Sequence, residues 1–174
     1  MRPGVSRIAA LVLVAACALA ASAPAADSAR SQRQLERGVL AEINELRADH
    51  GLRPLRLSTR LSAAAGAHSR AMVTQGFFAH ASRDGTFFWK RVQRWYGPRG
   101  YGYWAVGENL LWSSPTVAPS EAVAMWLASP PHRKNLLMPK WREIGLAAVH
   151  ASAAPGVFEG REVTVLTADF GVRR

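Results

Sequence analysis

Val163-Thr164-Val165-Leu166-Thr167-Ala168-Asp169-Phe170, preceded at a distance by Ile144-Gly145-Leu146-Ala147-Ala148-Val149, decides the fold class of this 174-residue chain. Both runs are apolar and rich in β-branched residues, and Ala153-Ala154-Pro155-Gly156 between them supplies turn formers, so they predict an antiparallel strand pair. Upstream the pattern is helical. Leu35, Val39, Ile43 and Leu46 align on one helix face, and Gly51 stops that helix as a left-handed cap. Pro54-Leu55-Arg56-Leu57 is a short extended crossing, after which Ser58 caps a second helix running to about Gln75 and ended by Gly76. Its small residues, Ala63 to Ala67, let a neighbour approach closely. Arg83-Asp84-Gly85-Thr86 reads as a turn, Phe87 to Trp95 as a short amphipathic helix, and Pro119 to Ala128 as a further helix with proline in its first turn. Helices first and strands late, without β-α alternation, indicate an α+β layered domain.

Composition bounds the rest. With 49% hydrophobic and 20% charged residues the chain is globular, sized for one core. Arg2 and Arg7 precede an apolar run from Ile8 to Ala21, followed by small-residue cleavage sites around Ala21-Ser22-Ala23 and Ala23-Pro24-Ala25. This predicts a secretory leader over residues 1–26, a linker over 27–33 and one domain over 34–174. A membrane anchor needs roughly 20 strongly apolar residues, more than this alanine-rich run offers. The only cysteine, Cys17, lies inside the run, so a chain cleaved beyond it has neither disulfide nor thiol nucleophile. Val14-Ala15-Ala16-Cys17 also resembles a lipobox, the alternative being a lipoprotein anchored at Cys17. Loss of Arg2 and Arg7 with the acid-free leader lowers the net charge from +10 to +8. That charge favours peripheral association with anionic envelope surfaces; without a recognition helix or zinc-finger spacing, no nucleic-acid partner is expected.

Three residues carry the candidate chemistry: His80 in Phe77-Phe78-Ala79-His80, Glu108 in Gly107-Glu108-Asn109-Leu110, and His132 in Ser129-Pro130-Pro131-His132. Two histidines and a carboxylate make a three-ligand set for a divalent metal, zinc above all, and equally an acid–base pair tuned by burial. Each also has a plain reading: Gly107-Glu108-Asn109 as a turn whose carboxylate bonds amides, Pro130-Pro131 as a helix stop with His132 in the loop beyond, and His80 as a solvated or capping histidine near a turn; His68, outside the trio, reads as a packed mid-helix histidine. No Gly-x-Ser-x-Gly elbow, His-Glu-x-x-His helix or phosphate-cradling loop is present. Of the aromatic cluster from Phe77 to Trp104, most members are expected to pack and a minority to line a groove.

Four segments in order resemble the CAP superfamily (cysteine-rich secretory proteins, antigen 5 and pathogenesis-related proteins; the SCP domain), in its disulfide-free bacterial branch. They are Asn44-x-x-Arg47 with Gly51-Leu52-x-Pro54-Leu55; Gly76-Phe77-Phe78-x-His80; Gly107-Glu108-Asn109; and Trp126-x-x-Ser129-Pro130-x-His132-Arg133-x-Asn135, followed by Ile144-Gly145 and Asp169-Phe170-Gly171. The resemblance implies a three-layer α-β-α sandwich around a short antiparallel sheet, with a central cleft of two histidines and two glutamates that binds a divalent metal in some members. His80, Glu108 and His132 match three of the four, and the second glutamate falls on Ser129. A serine supplies no charge; with export, basic charge, aromatic richness and no recognised catalytic motif, the expectation leans to a secreted binding module for an envelope lipid, glycan or peptidoglycan-derived ligand, with a divalent metal optional, rather than to an enzyme. The alternatives are a metal-assisted hydrolase, with His80 and His132 on zinc, Glu108 on water and Ser129 auxiliary, and a non-catalytic structural or interaction protein.

Overall fold

The computed structural model describes the chain from Ala23 to Arg174, with side chains from Asp27 onward; the expected leader and Cys17 lie outside that span except for the backbone of residues 23–26. Helix α1 covers Ala23–Asp49, strand β1 Arg56–Leu57, α2 Thr59–Gln75, α3 Phe88–Gln93, β2 Trp104–Ser113, α4 Pro119–Ala128, α5 Pro130–Leu136, β3 Glu143–Ala151 and β4 Val163–Arg173. The strands form one sheet in the order β1-β3-β4-β2. The β3–β4 and β2–β4 pairs are antiparallel, as expected of β3 and β4, while the two-residue β1 lies parallel to β3 and makes the sheet mixed.

Alternation along β4 divides the core between two helical layers. Leu166, Ala168, Phe170 and Val172 face one way and pack with Val39, Ile43 of α1, Trp126 of α4 and Leu136 of α5. Val163 and Val165 face the other way, toward Met72 and Val73 of α2. Helices thus cover both faces of the sheet, as in the expected sandwich. At the small-residue helix the approach is close: a Cβ on Gly145 of β3 would lie 2.1 Å from the Leu61 carbonyl carbon.

The caps follow the sequence. Ser58 Oγ accepts the Leu61 amide, and Gly76, at φ 66°, closes α2 in the left-handed region. Gly76 also touches the β3–β4 connection: its carbonyl accepts the Val157 amide at 3.1 Å, and a Cβ on Gly156 would sit 2.1 Å from that same oxygen.

Four expectations are corrected. Residues 27–33, read as a linker, are part of α1, because Asp27-Ser28-Ala29-Arg30-Ser31-Gln32-Arg33 holds no glycine or proline to break the helix. Gly107-Glu108-Asn109 is the middle of β2, its polar side chains buried by tertiary partners rather than turned to solvent. Pro130-Pro131 does not lead into a loop. The two prolines occupy the first turn of α5, where amide protons have no helical acceptor, so His132 is helical. Finally, half of the ten aromatics between Phe77 and Trp104 are exposed, namely Phe87, Trp89, Trp95, Tyr101 and Tyr103. Three of them meet cations: Lys90 over Trp89, Arg173 over Tyr101 and Arg174 over Tyr103.

Candidate functional site

The outer strand β2 has β4 on one side and no strand on the other, and the site is built along this edge. An uncovered edge exposes carbonyls and amides. Here side chains from α4 and α5 take up the carbonyls: Trp126 Nε1 donates to Leu110 O at 3.0 Å, and Asn135 Nδ2 donates to Glu108 O at 3.1 Å. Asn135 also donates to Asn109 Oδ1 at 2.9 Å, and Asn109 Nδ2 donates to His132 O at 3.1 Å. The Trp126…Asn135 motif therefore fastens α4 and α5 to the strand that carries Glu108. The first motif works likewise. Buried Arg47 donates Nε to Arg53 O and Nη1 to Leu136 O, while Asn44 exchanges two hydrogen bonds with the Leu55 backbone.

Glu108 points to the α2–α3 face, where its carboxylate is completely buried. Oε1 accepts His80 Nδ1 at 2.9 Å, and Oε2 accepts an N–H of Arg91 on α3. Arg91 is itself 7% exposed, and its Nη1 donates to His80 O at 3.0 Å, so one guanidinium holds both the carboxylate and the loop that bears the histidine. With Nδ1 toward Glu108, His80 is oriented by a carboxylate and half of its side chain stays exposed, at 51%. His132 arrives from the first turn of α5, and the two imidazole centroids lie 6.4 Å apart. Phe88 borders His80 at 6.3 Å. Burial first, then the neighbouring His80, lowers the His132 pKa and favours its neutral form.

The structure thus brings His80, Glu108 and His132 together, and adds two residues that no sequence motif marked for a role at the site. Arg91 is one, a basic residue indistinguishable in sequence from Lys90 and Arg94 beside it. Asp169 is the other. It faces Glu108 across the β2–β4 register and is fully buried. Burial first, then the charge on Glu108, pushes its carboxyl well above the usual carboxylate range, with Arg91 pulling the other way. Its place in Asp169-Phe170-Gly171 was visible; its partner was not.

Ser129 joins α4 to α5, and its carbonyl accepts the Arg133 amide at 2.8 Å, a backbone role any residue can fill. His68 is buried and shares a 2.9 Å hydrogen bond between Nε2 and Ala79 O, bracing the loop below His80. Of the expected three-ligand set of His80, His132 and Glu108, the carboxylate is already in use in this arrangement. Both oxygens of Glu108 are engaged, one by a cation, and among the described residues no group of three or more His, Cys, Asp or Glu is placed to hold a metal ion. The edge offers two imidazoles instead.

Comparison with known proteins agrees with the architecture. Residues 40–168 match the model of the cysteine-rich secretory protein family. The chain is 32% identical over 132 residues to YkwD of Bacillus subtilis (strain 168), an alignment covering 76% of this chain and 47% of YkwD, so the chain spans about half the length of that relative. An extracellular protein containing an SCP domain from Bacillus anthracis superimposes with a TM-score of 0.65 at 24% identity, over 86% of this chain and 43% of the other. An outer surface protein from Borrelia burgdorferi gives 0.63 at 20% identity, over 81% and 94%. With its family model matched along most of its length and its sandwich shared by SCP-domain structures, this chain belongs to the cysteine-rich secretory protein (CAP) family.

Proposed function

We propose that this chain is an exported envelope-binding module whose histidine-rimmed cleft takes a glycan-type ligand, a peptidoglycan fragment above all. One observation carries the reading: Glu108 is buried with both oxygens occupied, by Arg91 and His80. It is spent on holding the site together and is not free to deprotonate water, while the groups left at the rim are the rings of His80, His132 and Phe88. Flat rings with polar edges stack on sugar faces and bond hydroxyls. Phe87 and Trp89, exposed, flank Phe88 in the sequence. Export is supported by the apolar N-terminal run and by the structural neighbours, described as extracellular and outer-surface proteins. The test is binding of soluble peptidoglycan fragments by calorimetry. Saturable binding that is lost in His80→Ala and His132→Ala supports the proposal, and identical isotherms for wild type and both variants sink it.

A hydrolase has one observation in its favour. The Glu108–His80 pair resembles an oriented general base, with Nδ1 engaged and Nε2 left for water or a hydroxyl. Release of product from peptidoglycan that vanishes in His80→Ala would establish that reading over simple binding.

A further inference from the structure

The geometry points to a second site on this protein, an arginine-lined pocket for a phosphate ester group. It lies between the start of α2, the end of α3, the 97–101 loop and the last residues of β4, with a volume of about 620 Å³. Arg60, Arg94, Arg99 and Arg173 line it together with Tyr101, and it shares no lining residue with the Glu108 site. The volume is in the range of small-ligand pockets, roughly 300–1,000 Å³.

Four arginines on the wall of one concavity favour a bound anion, and among the described residues no carboxylate forms an ion pair with any of them. Among the described residues the ion pairs are His80–Glu108, Arg91–Glu108, His150–Glu162 and Arg161–Glu159, none of which involves the four arginines. Asp84 feels the charge of Arg94 without pairing to it. Glu143 accepts the Tyr96 hydroxyl at 2.5 Å.

The pocket is also built. Arg173 is held flat against aromatic rings, its guanidinium 3.8 Å from the Tyr96 centroid and 4.8 Å from that of Tyr101. The loop carrying Arg99 is closed by the Tyr101 amide on Pro98 O at 2.9 Å. A stacked arginine keeps its planar fork while losing torsional freedom, and such forks bind the oxygens of phosphate in pairs. Carboxylate ligands match one fork; a tetrahedral phosphate can meet several. Pro98 and the ring of Tyr101 on the wall can take the ester's carbon skeleton.

Glycerol 1-phosphate titrated by calorimetry into the purified protein at low salt is the direct test, beside sedimentation with vesicles of phosphatidylglycerol or of phosphatidylcholine. Saturable binding of glycerol phosphate is expected, weakened about tenfold or more in R94A/R99A. The R33A/R37A control removes the same charge from exposed positions of α1 and is expected to bind like wild type. All three proteins should melt together, since the four replaced arginines are exposed. Binding to phosphatidylglycerol vesicles but not phosphatidylcholine, lost in R94A/R99A, assigns the phosphate to a lipid headgroup; binding of glycerol phosphate without vesicle sedimentation assigns it to a soluble or polymeric ester. No saturation below about 10 mM, or equal weakening by R33A/R37A, overturns the site. A charge-preserving R94K/R99K variant with wild-type affinity overturns the claim that the guanidinium fork matters.

Discussion

Glu108 and Asp169 face each other across the β2–β4 ladder, two buried carboxyl groups with one guanidinium, that of Arg91, against them. Two carboxylates this close do not both ionise. Glu108 holds the arginine and the histidine, while burial first and then the charge on Glu108 raise the Asp169 carboxyl well above the usual carboxylate range and favour its neutral form. Asp169→Asn therefore substitutes one neutral hydrogen-bonding group for another, and its melting temperature at pH 8 is expected to equal or exceed that of wild type. Glu108→Gln leaves Arg91 buried without its counter-ion and is expected to cost about 3 kcal/mol in a urea titration. Equal destabilisation by the two substitutions would contradict this division of charge.

Acid should weaken the fold through His68. Burial first, opposed by the charge on Glu108, lowers its pKa below the ordinary 6.5. The unfolded chain then binds more protons than the folded one, so the contribution is complete above pH 6.5 and is lost as the pH falls from there toward the folded pKa. His68→Gln removes the titration. Its melting temperature should fall less between pH 7 and pH 5, about two units of pH, than that of wild type.

Packing at Gly145 admits no side chain. An added Cβ would lie 2.1 Å from backbone atoms of Leu61 and Ser62, which cannot yield without moving the start of α2 off the sheet. Gly145→Ala is expected to cost about 3 kcal/mol or more, read from the urea midpoint. Gly85→Ala, where a Cβ meets open space, suffers only from its backbone φ of 80° and should cost about 1 kcal/mol.

Zinc would meet two imidazoles and a Glu108 whose two oxygens are already engaged. Calorimetric titration at pH 7.5 is expected to give a dissociation constant weaker than about 10 μM, abolished in His132→Ala. Tight stoichiometric binding would show that Glu108 leaves Arg91 for the metal.

The helices α1, α2 and α4 were legible because period and cap agree there, as in Ser58 and Gly76 around α2. Strands β3 and β4 announced themselves by β-branched content. Strand β2 did not: Trp104-Ala105-Val106-Gly107-Glu108-Asn109-Leu110 lacks alternation, because Glu108 and Asn109 are both buried, one by Arg91 and the other by His132 and Asn135. Strand propensity describes a half-buried surface and not such an edge. Pro130-Pro131 misled for a related reason, since a proline pair stops one helix and starts the next equally well. At the site, ordered motifs placed His80, Glu108 and His132, whereas Arg91 and Asp169 act only through contacts that folding creates.

The backbone contact between Gly76 and Gly156 ties two distant stretches into a single mechanical joint. The loop bearing His80 leaves the protein from one side of that joint and the turn between the last two strands leaves from the other. Any side chain at either glycine presses on both at once, so the two positions act as one locus. Lengthening the strand connection, an apparently harmless surface change, would press on Gly76 and so on the start of the loop that leads to His80.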